Sequence, residues 1–286
     1  MNQKILLWIV SLLFFVGLPL DIKAQEETIL QEIERTGLVK LGIRAGAFPF
    51  GYKDADNNFA GICVDLFKTV VDEIKKELKR DILAIKLYES NLINRFNLVE
   101  NRIVHLECGP NTIDPQLPRN VQFSNSFFVT GTQLLIRIDN ANKIKANRDF
   151  SNLTIGVLRG TITQQLLAQK YPLANLQQFQ GITGRRRGIQ AVQQLKIDAF
   201  ASDGILLIGE ATREGLFLGQ DYLLVPQKPL DCVYYGFILP KNDPQWRDLV
   251  NSAIQAASLP QIFSKWFGEI SPEIREMAEF CRSEGS

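Results

Sequence analysis

Along most of this chain, short apolar runs with a period of two alternate with longer runs of helical period. Near the start, "TILQEIERTG" has Thr28 followed three residues on by Gln31, a capping-box spacing, with Gly37 as a stop, and predicts a short helix. "LVKLGIR", Leu38 to Arg44, alternates as a strand does, and Gly46, Pro49 and Gly51 predict a loop after it. "DADNN" reads as a hairpin turn. From Val64 to Leu78 the apolar residues Phe67, Val70, Val71, Ile74 and Leu78 recur at helical spacing, which buries one face and leaves the lysines in water. Ile103 to Cys108 reads as a short strand that stops at Gly109-Pro110-Asn111-Thr112.

The middle of the chain repeats this grammar. Leu153 to Leu158 predicts a strand, Arg159-Gly160-Thr161 a turn, and Ile162 to about Lys170 a helix, in which Thr161 and Gln164 repeat the capping-box spacing. "GITGRRRGIQAVQQL" reads as loop then helix, "IDAFASD" as strand then loop, and Val233 to Leu239 as strand. In the last third, Trp246, Leu249, Val250, Ala253, Ile254 and Ala257 form one apolar helical stripe, and Phe263, Trp266 and Phe267 follow Pro260. Strands alternating with helices give an α/β fold class.

The first residues bear on localisation. Lys4 precedes an unbroken apolar run from Ile5 to Leu18 and a polar step ending at Ala24, the layout of a secretory signal peptide cleaved near Ala24. The run is shorter than the roughly 20 residues that cross a bilayer, which sets this reading above an uncleaved anchor. The mature product is expected outside the inner membrane, and with no cysteine beside the cut no lipid anchor is expected. Without residues 1–24 the 32 basic and 31 acidic side chains become 30 of each, so there is no global field for nucleic acid and any anion recognition must be local. The remaining 262 residues exceed the usual single-domain size, and two lobes are expected. In an oxidising compartment Cys63, Cys108, Cys232 and Cys281 allow two disulfides in any of three pairings. Cys63 with Cys108 and Cys232 with Cys281 is the pairing favoured, against four free thiols.

No catalytic pattern stands out. His105, the single histidine, lies within the alternation Ile103-Val104-His105-Leu106 and reads as a strand residue rather than a general base. The chain has no G-x-S-x-G elbow, P-loop or H-E-x-x-H, and its cysteine spacing fits no zinc motif, so neither cofactor nor metal is expected. Anion recognition has more support. The turn in "LRGTITQQ" sets the N–H groups of Thr161, Ile162 and Thr163 at a helix N-terminus, which suits a carboxylate, although Thr161 serves equally as a plain cap. Arg159 beside that turn and Arg44 at a strand end add cations, whereas the run Arg185-Arg186-Arg187 taken alone is ordinarily a solvated face. Asp203 suits an ammonium group and equally the N-cap of "GILLIGEA".

In its order of motifs the chain resembles the periplasmic amino-acid-binding proteins of ABC importers, the extracellular solute-binding family 3, and above all the glutamate/aspartate-binding members. The likeness is carried by "GIRAGAFPFGYKDADNNFAGICVDL", "NRFNLVENRIVHLECGPNTI", "VQFSNSFFVTGTQLL", "IGVLRGTITQQLL", "IDAFASDGILL" and "YYGFILPKNDPQW", which span nearly the whole chain after the signal. It implies a two-lobed periplasmic binding protein type II fold, with a ligand cleft between lobes joined by two crossing segments near Gly131–Arg137 and Pro226–Cys232. Lobe one would take residues 25–130 and 232–286 and lobe two residues 131–231, with ligand shifting the clamp toward closure. By the same likeness Pro110 and Thr112 meet the α-ammonium and α-carboxylate, Asp203 takes the ammonium, and Thr161 and Ile162 give N–H groups to the α-carboxylate. Arg44 and, approximately, Arg185, which is a histidine in that group, help hold the side-chain carboxylate. With Arg159 nearby the cleft is expected to be cationic, and a buried arginine without an anion is costly, so an acidic amino acid is the expected ligand and glutamine the next candidate. Phe48, Tyr52 and Tyr88 are read first as core-packing residues and second as candidates for stacking on the ligand, and Asp65 reads as structural.

The chain departs from the family at one place. Leu117 stands where members put a carboxylate-clamping arginine, and Arg119 comes two residues later in a loop reshaped by Pro115 and Pro118. Arg119 is expected to substitute, with Arg159 next in order and a ligand other than an ordinary α-amino acid last. The function implied is that of a monomeric periplasmic protein delivering its amino acid to an inner-membrane ABC permease. The rivals are an enzyme on the same scaffold, of the cyclohexadienyl dehydratase type, and a soluble sensory module.

Overall fold

The structure, a computed structural model, describes residues 27–117, 119–146, 149–268 and 272–284, so the signal-peptide reading of residues 1–24 lies outside the described residues. Two five-stranded sheets organise the chain. In the first the strand order is Ala84–Ser90, Leu38–Arg44, Leu106–Cys108, Ile238–Pro240, Val121–Phe123. The first three of these run parallel, and Ile238–Pro240 lies antiparallel to both its neighbours. The second sheet has the order Asn175–Phe179, Thr154–Leu158, Ala199–Asp203, Thr132–Arg137, Tyr222–Val225, again a parallel trio extended by antiparallel strands. A strand from the C-terminal part therefore completes the first sheet, while the second comes wholly from the middle of the chain.

Each sheet is covered by helices whose apolar stripes match the sequence pattern. Helix Ile62–Leu78 buries Ile62, Leu66, Phe67, Val70, Val71 and Ile74, and helix Pro244–Ala256 buries Trp246, Val250, Ala253 and Ile254 in the same core. Thr28 forms the expected capping box with Gln31, and Gly37 closes that helix at φ 67°. At Thr161 the box is half-made: its Oγ1 accepts from the Gln164 N–H, but the Gln164 side chain accepts from Gly160 N–H instead. "IDAFASD" is strand to its end, and helix Gly204–Arg213 starts directly after Asp203 with no loop between.

The chain passes between the sheets twice. Phe128–Thr130 and Val233–Tyr235, which flank the passages, pair antiparallel. A Cβ on Gly131 would lie 2.2 Å from the Asp231 carbonyl oxygen, so the two passages run this close only with glycine there. Both disulfides take the favoured pairing. Cys63–Cys108 fastens helix Ile62–Leu78 to strand Leu106–Cys108, and Cys232–Cys281 fastens the return passage to helix Pro272–Glu284. His105 is fully buried beside Trp246, where its Nδ1 accepts the Lys40 N–H at 3.2 Å.

Candidate functional site

The carboxyl ends of the parallel strands Leu38–Arg44, Leu106–Cys108, Thr154–Leu158 and Ala199–Asp203 open on one cavity of about 810 Å³. That is where open α/β sheets present ligand sites, because the loops leaving neighbouring strands diverge there. Arg44, Arg95, Asn111 and Thr112 line it from the first sheet, and Arg159, Thr161, Thr163, Arg185, Ser202 and Asp203 from the second.

Arg44 is already partnered. Its Nε and Nη2 donate to Glu107 Oε1 at 3.2 and 3.1 Å, and Nη2 also donates to Asn111 Oδ1 at 2.5 Å. Glu107 is fully buried and accepts further bonds from Ser90 Oγ and Asn111 Nδ2, both at 2.5 Å. The network fixes Arg44 and neutralises its charge from behind. Arg95 is the cation that periodicity did not reveal. It opens helix Arg95–Glu100, directs Nη1 toward Asn111 Oδ1 at 3.4 Å, stacks 4.6 Å above the Phe96 ring, and buries its Nε with no hydrogen-bond partner. Burial first, and the adjacent Arg44 second, hold its pKa down to about 9. No local pattern marks it, because the strand before it, Ala84–Ser90, shows no alternation in the sequence.

Arg185 departs from the solvated-face reading of its run. It is buried, with Nε donating to Ser202 Oγ at 3.2 Å and Nη1 donating across the cleft to the Gly46 carbonyl at 3.1 Å. Burial lowers its pKa, against the pull of Glu210 and Asp203. Arg186 and Arg187 do face outward, toward Glu214 and the Gln180 carbonyl. Asp203 occupies an N-cap position but makes no capping bond; its carboxylate accepts from the Tyr235 hydroxyl and, at 3.4 Å, from Thr163 Oγ1. Burial raises its pKa, and the Tyr235 hydrogen bond opposes that. Thr161 caps its own helix and donates its hydroxyl to the Leu158 carbonyl at 2.7 Å, so its side chain is occupied; Ile162 and Thr163, in the first turn, line the cavity.

Pro110 and Thr112 line the cavity as expected, and so does Leu117. Arg119 does not. Its guanidinium pairs with Glu100 at 3.1 Å, donates to Asn97 Oδ1 at 3.0 Å and lies over the outer side of the Phe96 neighbourhood, 5.1 Å from that ring, because the helix carrying those groups offers it an acid on its own side. None of the three aromatic candidates lines this cavity, in keeping with the packing reading. Phe48 and Tyr52 pack edge-on at 4.8 Å beneath Arg213, Tyr88 joins the Val99 and Val104 cluster, and the rings on the cavity wall are Phe96 and Phe123. Asp65 is structural, accepting from Lys68, Lys265 and Trp266.

Among the described residues, four arginines line the cavity: Arg44 pairs with Glu107 behind it, Arg185 lies near Glu210 and Asp203, Arg159 is exposed, and Arg95 has no ion pair.

Residues 39–269 match the model of bacterial extracellular solute-binding proteins, family 3. The chain is similar to the glutamate/aspartate import solute-binding protein of Salmonella typhimurium, 28% identical over 83% of this chain and 78% of that one. It is 29% identical to the L-glutamate/L-aspartate-binding protein of Pseudomonas aeruginosa, over 85% and 81% of the two chains. Among solved structures, the ancestral amino acid-binding protein AncCDT-1, a precursor of cyclohexadienyl dehydratase, superposes with a TM-score of 0.70 at 22% identity, covering 84% of this chain and 99% of that one. An amino acid ABC transporter substrate-binding protein from Streptococcus pneumoniae, bound to L-arginine, gives 0.68 at 16% identity, covering 87% and 97%. These structural likenesses establish the two-lobed α/β fold.

Proposed function

The chain belongs to the bacterial extracellular solute-binding proteins, family 3, and on that premise we propose that it captures an acidic amino acid, glutamate or aspartate, in the cleft between its lobes. The observation that carries this reading is the surplus cation: Arg95, desolvated and without a carboxylate partner, faces a cavity whose other buried charges are already answered. A glutamine or an arginine as ligand would leave that guanidinium uncompensated. In this arrangement Asp203 and the Thr112 loop receive the ammonium group. The first turn at Thr161 and Ile162, with Arg159 beside it, receives the α-carboxylate, and Arg95, backed by Arg44, receives the side-chain carboxylate. Arg185 joins the halves through Gly46.

Two named relatives are glutamate/aspartate binders, one of them described as an import protein, and this supports delivery to an inner-membrane ABC permease after secretion and cleavage near Ala24. The protein acts as a monomeric receptor, and its lobes of residues 25–130 with 232–286 and 131–231 close on the ligand. A thermal-shift panel of L-glutamate, L-aspartate, L-glutamine, L-arginine and glutarate tests the reading. Ligand at a hundredfold excess over Kd stabilises by about 2.7 kcal/mol, so L-glutamate or L-aspartate is expected to raise the melting temperature by several degrees. A larger rise with L-glutamine or L-arginine refutes the charge argument.

A further inference from the structure

We propose that Tyr235 is a positioning residue for ammonium recognition: its hydroxyl fixes one oxygen of Asp203 and leaves the other to the cleft. The proposal rests on the reading that Asp203 receives the ligand's ammonium group. Tyr235 is fully buried and does not line the cavity, so whatever it does for ligand it does through another residue. Its hydroxyl donates to Asp203 Oδ2, while Oδ1 has only a long 3.4 Å contact from Thr163 Oγ1 and remains able to accept from a ligand.

The placement of Tyr235 gives it a hold on both halves of the head-group site. Its ring is fully buried, packing edge-on against Phe50 at 5.3 Å and stacking on Phe128 at 5.9 Å, which leaves the hydroxyl little freedom. Its backbone forms a β-bridge with Thr112, the residue of the opposing loop that faces the same cavity. One residue thus ties the carboxylate of the second sheet, through its side chain, to the loop of the first, through its backbone. Asp203 sits at the end of strand Ala199–Asp203, which would otherwise let its side chain turn back to cap helix Gly204–Arg213, and no such cap is made.

The electrostatics follow from the same contacts. The charged groups around Asp203 are Arg185 from helix Gly204–Arg213's neighbour, helix Gly184–Gln193, and Asp231 from the return passage; Thr163 and Tyr235 supply the hydroxyls. Burial and Asp231 favour the protonated acid, whereas Tyr235, Arg185 and Thr163 favour the carboxylate. Burial and the neighbouring Asp203 raise the Tyr235 phenol well above its ordinary value, so it stays a donor wherever Asp203 is ionised.

The test compares wild type, Tyr235→Phe and Asp203→Asn by calorimetry across roughly pH 4 to 8, with L-glutamate and with glutarate, which lacks the ammonium group. In parallel, the Asp203 ionisation midpoint is read in ligand-free protein by carbon-13 carboxyl NMR, its resonance assigned by its loss in Asp203→Asn. Loss of one charge-assisted hydrogen bond is expected to weaken L-glutamate about 10- to 100-fold in Tyr235→Phe. The acid limb of the affinity profile and the Asp203 midpoint both move to higher pH, and glutarate binds the two proteins alike. An Asp203 midpoint and an L-glutamate profile unmoved by Tyr235→Phe overturn the proposal, even where Asp203→Asn weakens L-glutamate and so upholds the ammonium reading. Undiminished L-glutamate binding by Asp203→Asn sinks that reading and the proposal together.

Discussion

Replacing Arg95 with methionine separates stability from binding. Methionine keeps an unbranched stem over the Phe96 ring and removes the guanidinium, whose pKa burial and Arg44 hold to about 9. At about 1.4 kcal/mol for each tenfold change in acidity, against an ordinary value above 12, the empty cleft spends at most about 5 kcal/mol keeping that charge. The sign is clear: at pH 7 the arginine is charged in both folded and unfolded chains, so the full cost is present there and is relieved only as pH rises through about 9. Against it stand the Asn111 contact and the stacking on Phe96, together about 1–2 kcal/mol. Arg95→Met is therefore expected to stabilise the ligand-free protein by about 2–4 kcal/mol, read as a higher urea midpoint at unchanged m. Calorimetry on the same protein should find L-glutamate bound at least about 100-fold more weakly, because the ligand carboxylate loses its unanswered cation. A lower urea midpoint together with unchanged L-glutamate affinity would refute the reasoning, since Arg95 would then be a structural residue.

Arg119→Ala is expected to leave L-glutamate affinity within about twofold, because Arg119 is exposed and its partners Glu100 and Asn97 lie outside the cavity, and to cost no more than about 1 kcal/mol of stability; a tenfold loss in calorimetry would return it to the site. His105 ties stability to pH: burial first, opposed by the Glu32 hydrogen bond, lowers its pKa to about 4, so the folded chain refuses a proton that the unfolded chain takes below about 6.5. Stability should fall by about 3 kcal/mol as pH drops from 6.5 to 4, and urea titrations of His105→Asn should show a shallower slope over that window.

Much of the architecture was legible because burial imposes periods that sequence records. The helix faces at Ile62–Leu78 and Pro244–Ala256, the strand at Leu38–Arg44 and the cap at Thr28 each repeat a local rule. Strand Ala84–Ser90 was not legible: it is an edge strand exposed at Ala84, Ile85 and Lys86, so it has no buried face to enforce alternation, and the helix with Arg95 that follows it went unread as well. For the site, the local chemistry of the Thr161 turn and the strand ends at Arg44 and Asp203 could be seen in the sequence. Which cation is free could not, because that depends on what sits behind each one. Arg44 looked available until Glu107, sixty-three positions away in the chain, proved to be its partner. Arg119 stood as the expected substitute for the arginine missing at Leu117 until Glu100 drew it outward.

What the sequence determined by itself was the alternation of elements and the inventory of charged and donor groups at their ends, since both follow from interactions within a few residues. Tertiary structure alone decided how those charges pair across the cleft, leaving Arg95 exposed to the cavity and Asp203 in the grip of Tyr235. Charge compensation inside a protein acts through space over a few ångströms, and no local pattern encodes which distant residues the fold will bring within that range.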